Sequence, residues 1–182
     1  MKKILFLSLG LFLMVACGSN DNNADSITEK DELIDSISAI EHAVGNPNML
    51  FSGDTAEMMV KMYTRFVNDF PEDSLTPYYM MRTAEIEVNR GNFDKGIAIF
   101  DTILEKYTPG GFDSYADCMY RKALILDQDG EHCEQAIAAY GAFVETFPDH
   151  YLATEAKNNM KIAEKSQKEL LETVHNWEKK RK

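Results

Sequence analysis

Two seven-residue stretches, MMRTAEI from Met80 to Ile86 and MYRKALI from Met119 to Ile125, agree at Met, Arg, Ala and Ile and lie 39 residues apart. A chain that repeats itself at a fixed interval builds one supersecondary unit several times and stacks the copies, because a single copy cannot bury its own apolar face. The repetition continues downstream. Gly91 follows Ala84, and Gly130 follows Ala123, at the same distance. The register then slips by one, and GNFDKGIAIFDTILEKYTPG from Gly91 aligns at an offset of 40 with EHCEQAIAAYGAFVETFPDH from Glu131, placing Phe93 on Cys133, Gly96 on Ala136, Phe100 on Tyr140 and Tyr107 on Phe147. A slip of that kind is absorbed in a turn. A third copy of the second half, MMVKMYTRFVNDFP from Met58, sets Tyr63, Phe66, Phe70 and Pro71 where the last copy has Tyr140, Phe143, Phe147 and Pro148, 77 residues on.

Within each unit the apolar spacing is helical. Ile97, Phe100, Ile103, Leu104 and Tyr107 share one helix face, as do Ala136, Tyr140, Phe143 and Phe147. Gly91 and Gly130 mark turns between helices, and Pro71, Pro109 and Pro148 close the second helix of each unit. Pro109 comes one place late, with Gly110 and Gly111 after it, which predicts a looser turn. The pattern predicts helices near Thr28 to Val44, Thr55 to Phe70, Thr76 to Arg90, Phe93 to Tyr107, Ser114 to Asp127 and Cys133 to Phe147, then a terminal stretch from His150. The capping-box pattern from Ser166 to Glu169 predicts a break in that last stretch, giving seven or eight helices in all.

The N-terminus has a different character. Lys2 and Lys3 precede an apolar run from Ile4 to Val15, the layout of a secretory signal peptide. Twelve residues at about 1.5 Å each reach only about 18 Å, short of a bilayer's hydrocarbon core of roughly 30 Å. Met14-Val15-Ala16-Cys17 is similar to the lipobox of bacterial lipoproteins, which implies that residues 1–16 are removed and that Cys17 becomes a lipidated first residue. Gly18 in the next position then implies sorting to the outer membrane. The stretch GSNDNNADS that follows is too polar to bury itself, so residues 17–27 are expected to form a lipidated tether. Residues 28–165 are assigned to the helical domain, and 166–182 to a C-terminal helix with a basic end.

The repeated unit, a first helix with a small residue, a Gly at the turn and a second helix closing on Phe-Pro, resembles the tetratricopeptide repeat (TPR). It is similar to the long variety found in Gram-negative envelope lipoproteins, among them those of the outer-membrane β-barrel assembly machinery. The resemblance runs from about Thr55 to Ala163 and implies an all-α, TPR-like α-solenoid of stacked antiparallel helical hairpins. Ala84, Ala123, Gly96 and Ala136 then stand where paired helices approach closely. It also implies a partner-binding groove lined by the first helix of each pair, through Tyr78, Met81, Arg82, Glu85 and Asn89 and then Asp117, Tyr120, Arg121, Leu124 and Gln128. Arg82 and Arg121 recur with no packing need and could grip an acidic or C-terminal peptide. The competing reading pairs Arg82 with Glu85 or Glu87.

Other chemistry is sparse. His42, His132, His150 and His175 are scattered, and Asp127 to Glu131 has its Gly at the wrong position for a calcium loop. Glu85 and Glu87 read as solvated helix positions rather than a catalytic pair. No motif nominates a catalytic residue, a metal or a cofactor. With the turn near Gly130, Cys118 and Cys133 are too far apart to be bridged and are expected to be free thiols. The chain carries 19 Lys and Arg against 30 Asp and Glu, a formal net charge of -11, which disfavours nucleic acid as a partner. The basic run from Lys179 to Lys182 suits a helix C-terminus and could also touch anionic lipid. The expected function is a lipid-anchored, non-enzymatic scaffold at the periplasmic side of the outer membrane, joining envelope proteins or extended peptide segments. The alternative is a small structural subunit permanently buried in a larger envelope complex, which would expose a contiguous apolar patch when alone.

Overall fold

A computed structural model describes residues 22–45, 52–128 and 132–181. The leader, Cys17 and the start of the tether lie outside those residues, as do Asp129, Gly130 and Glu131 of the second predicted turn. Seven α-helices are present among the described residues: α1 (Asn22–Val44), α2 (Gly53–Asp69), α3 (Thr76–Asn89), α4 (Phe93–Lys106), α5 (Tyr115–Gln128), α6 (Cys133–Thr146) and α7 (Ala153–Lys180). Each packs mainly on its neighbours in the chain, so the fold is an all-α solenoid of helical hairpins.

Two boundaries differ from expectation. α1 begins at Asn22, inside the stretch assigned to the tether. α7 runs unbroken past Ser166, because residues 153–182 contain neither Pro nor Gly and nothing there takes the backbone out of the helix. The looser turn does occur: residues 107–114 separate α4 from α5, whereas 70–75 suffice between α2 and α3.

The turn after α3 shows why Gly91 is needed. Its φ is +84°, a left-handed conformation that costs glycine nothing, and the amides of Gly91 and Asn92 donate to the carbonyls of Val88 (2.8 Å) and Glu87 (2.9 Å). α3 and α4 then meet so closely that a Cβ added at Gly96 would collide with Val88 Cγ2 and lie 3.1 Å from the Ala84 carbonyl oxygen.

The apolar interior is divided into three cores, each built from three successive helices. Leu33 and Ile37 of α1, Met59, Tyr63 and Phe66 of α2, and Tyr79 and Ile86 of α3 form the first. Met81 and Ala84 of α3, Phe100 and Ile103 of α4, and Cys118 and Ile125 of α5 form the second. Ala116, Tyr120 and Ala123 of α5, Tyr140 and Phe143 of α6, and Ala156 of α7 form the third. Helices α3 and α5 therefore serve two cores each and are buried on two sides. α7 continues the pattern on one side only. In step with the 77-residue offset of the preceding turns, Tyr79 and Ile86 become buried Ala156 and Ala163, whereas Met81 and Ala84 become exposed Asn158 and Lys161. The face that would receive another helix is polar, which is how a solenoid ends.

Cys118 and Cys133 are both free. Burial pushes the Cys118 thiol up to about 12, so it stays protonated and unreactive. Cys133, standing where the preceding repeat has Phe93, donates its S–H to the Ala163 carbonyl at 3.4 Å and ties α6 to α7.

Candidate interaction groove

A helix buried on two sides leaves only part of its surface open, and one strip of it follows the repeat. On α3 that strip is Tyr78, Arg82, Glu85 and Asn89, and on α5 the same strip 39 residues later is Asp117, Arg121, Leu124 and Gln128. These eight residues of the predicted lining share one face of the stack. Met81 and Tyr120 do not belong to it. Both are buried, at 6% and 5% exposure, because each lies about 100° around its helix from the neighbouring arginine and faces the paired helix instead. Tyr120 packs against Phe143, with ring centroids 5.5 Å apart, and its hydroxyl accepts a hydrogen bond from Asn159 (3.3 Å).

Between the two strips lies a cleft of about 280 Å³ lined by Glu85, Val88, Asn89, Arg121, Leu124, Ile125 and Gln128. A wider hollow of about 820 Å³ opens beside it at the turn between α3 and α4 and meets the cleft at Gln128.

Glu85 governs the electrostatics of the cleft. Its carboxylate pairs with Arg82 one turn back on α3 and with Arg121 across the repeat boundary, the latter at 2.5 Å. The two recurring arginines together bracket one carboxylate, so the pairing alternative holds for Arg82 and extends to Arg121. Thirty-nine residues after Glu85 stands Leu124, which leaves Arg121 without a carboxylate one turn ahead on its own helix. Arg121 remains about half exposed (48%) while holding Glu85. An acidic group entering the cleft would therefore compete with Glu85 for Arg121, at a site with one apolar wall made by Leu124, Ile125 and Val88.

Glu87 is not solvated either. Its side chain is 1% exposed, and it accepts hydrogen bonds from Asn92 (2.6 Å) and from Lys95 at the start of α4 (2.7 Å). Burial alone would raise its carboxyl, but the hydrogen bonds from Lys95 and Asn92 and the charges of Lys95 and Arg90 outweigh that and hold it below the ordinary value. Glu87 fastens the α3–α4 turn and does not face the cleft.

The strip continues one helix beyond the predicted lining. The 77-residue offset that links Phe70-Pro71 to Phe147-Pro148 carries the exposed strip onto Glu155, Asn159, Ile162 and Ser166 of α7. Among these Ile162 is a large apolar side chain at 63% exposure.

The segment 117–150, covering most of α5, all of α6 and the turn that follows, matches a protein-family model described as tetratricopeptide repeat. Among curated proteins, none matches the chain. The chain thus contains a TPR, and repeats of this type serve mainly as non-enzymatic surfaces for binding proteins and peptides.

Proposed function

We propose that the chain is a lipid-anchored TPR scaffold of the cell envelope. Acyl chains on Cys17 hold it at the outer membrane, facing the periplasm, and its α3–α5 cleft receives an extended segment of a partner envelope protein during assembly of an outer-membrane complex. The observation that supports this reading best is the cleft itself, where a half-exposed Arg121 stands beside Leu124 and Ile125 on the helix strip that the solenoid leaves open. An acidic or C-terminal peptide fits that combination, with its carboxylate displacing Glu85 and a neighbouring apolar side chain meeting Leu124. The anchor rests on the leader and lipobox pattern around Cys17.

Photo-crosslinking in cells from Leu124 and Gln128, with buried Phe143 as control, tests the groove. One dominant envelope protein captured from both positions and lost in Arg121→Ala is expected. Adducts that are absent, or indifferent to Arg121, would overturn the assignment. Metabolic labelling with palmitate tests the anchor, and label that persists in Cys17→Ser would reject it.

A further inference from the structure

The strongest feature outside the groove is the second half of α7. Its first half buries Ala153, Ala156 and Ala163 against the body, with the last interhelix bond running from Gln167 to Glu134 at 3.0 Å. From residue 168 to 181 every side chain is exposed. At about 1.5 Å per residue, this overhang extends about 21 Å past the stack. The same helix face continues along it, because Leu170, Val174 and Trp177 follow Ala163 at spacings of seven, four and three. Together with Leu171 they form an uncovered apolar stripe, at 62%, 62%, 46% and 57% exposure for Leu170, Leu171, Val174 and Trp177. The stripe does not await another repeat, since the face of α7 that would receive one carries Asn158 and Lys161.

We propose that this overhang is an interfacial helix that docks on an anionic lipid surface. Charge points to that occupant. Residues 166–182 carry five Lys and Arg against three Glu, whereas the rest of the chain has a net charge of -13 and would be repelled by such a surface. The cations gather at the tip, Lys179 to Lys182, and the Arg181 guanidinium lies 4.5 Å from the centre of the Trp177 ring. An apolar stripe of Leu, Val and Trp ending in a basic cluster is the pattern of helices that lie in the headgroup region. Glu172 projects from the opposite side of the helix and Glu169 lies at its flank, whereas Glu178, four residues after Val174 and seven after Leu171, sits on the stripe at its basic end. A second copy is a poorer occupant, because a stripe of four large apolar side chains falls well short of the roughly 20–30 residues that each partner of a stable pair contributes. The assignment does not depend on acylation of Cys17.

Trp177 is the single tryptophan of the chain, so intrinsic fluorescence of the full-length protein reports on the overhang alone. Vesicles of phosphatidylglycerol and phosphatidylethanolamine should shift its emission to the blue and shield it from acrylamide. Phosphatidylcholine vesicles should do so weakly, and added salt should reverse the effect. The triple variant Lys179→Glu/Lys180→Glu/Arg181→Glu should weaken the Trp177 response by about a hundredfold or more in lipid concentration. Leu170→Ser/Leu171→Ser should abolish it while leaving the circular dichroism of the body intact. An emission unmoved by anionic vesicles would overturn the proposal. So would a shift equal on neutral lipid and in the charge-reversed variant, or one that needs no lipid and grows with protein concentration, which would assign the stripe to a second copy.

Discussion

Gly96 marks the closest approach of two helices, and a single methyl there has a definite cost. Gly96→Ala should destabilise the protein by about 1–3 kcal/mol in urea denaturation, because Val88 and the Ala84 backbone leave no room. Adding Val88→Ala should recover part of the loss. Gly141→Ala is the matching control: an added Cβ meets only Met160 Sδ at 3.8 Å, so better helix propensity should stabilise by up to about 1 kcal/mol. Equal effects at the two glycines would remove the steric account. Glu87 predicts a pH dependence. Its folded pKa is depressed below the ordinary 4.5, so the stability it contributes is present above that value and is lost as pH falls through the lower folded value. Glu87→Gln should be destabilised near neutral pH and should lose less stability than wild type between about pH 5 and pH 3. The small residues were legible in the sequence because repetition fixed their register. Glu87 was not, since a buried carboxylate and a solvated one look alike until Lys95 of the next helix is in place.

At the scale of the helix, α7 combines two roles that the other helices keep apart. Its first half belongs to the third core and its second half touches none, so deleting residues 168–182 should lower the helical circular dichroism signal and change the unfolding free energy by less than about 0.5 kcal/mol. A larger loss would mean that the overhang braces the body. Five of the seven helices, α2 to α6, were predicted in place because apolar spacing, Gly and Pro all agreed on them, and α1 was predicted with its start six residues late. The break at Ser166 was not realised, because a capping pattern starts a helix only where the preceding residues leave one. Likewise, the arginine and the aromatic or Met beside it looked equally fit for the groove. Only burial of α3 and α5 on two sides separates them, taking Met81 and Tyr120 into the cores and leaving the arginines at the surface.

Across the whole molecule, contacts run from neighbour to neighbour, and stability should be distributed accordingly. Ile37→Ala, in the first core, should reduce amide hydrogen-exchange protection in α1 and α2 while leaving α5 and α6 protected. Phe100→Ala, in the middle core, should cost about 3–5 kcal/mol and lower protection on both sides. A uniform loss from Ile37→Ala would show that the stack unfolds as a single unit. The solenoid was legible from the repeats alone, but the positions of its cores were not, because the sequence motif begins at the first helix of a hairpin while each core is centred on a second helix. Copying and cutting such a chain therefore has a fixed step of two consecutive helices. Removing α4 together with α5 would bring α6 against α3 in the register it already keeps with α5, and removing α3 together with α4 would bring Cys118 and Ile125 of α5 to the places on α2 that Tyr79 and Ile86 now fill. Length could change in this family of shapes by whole steps of that size, with the polar cap of α7 left untouched.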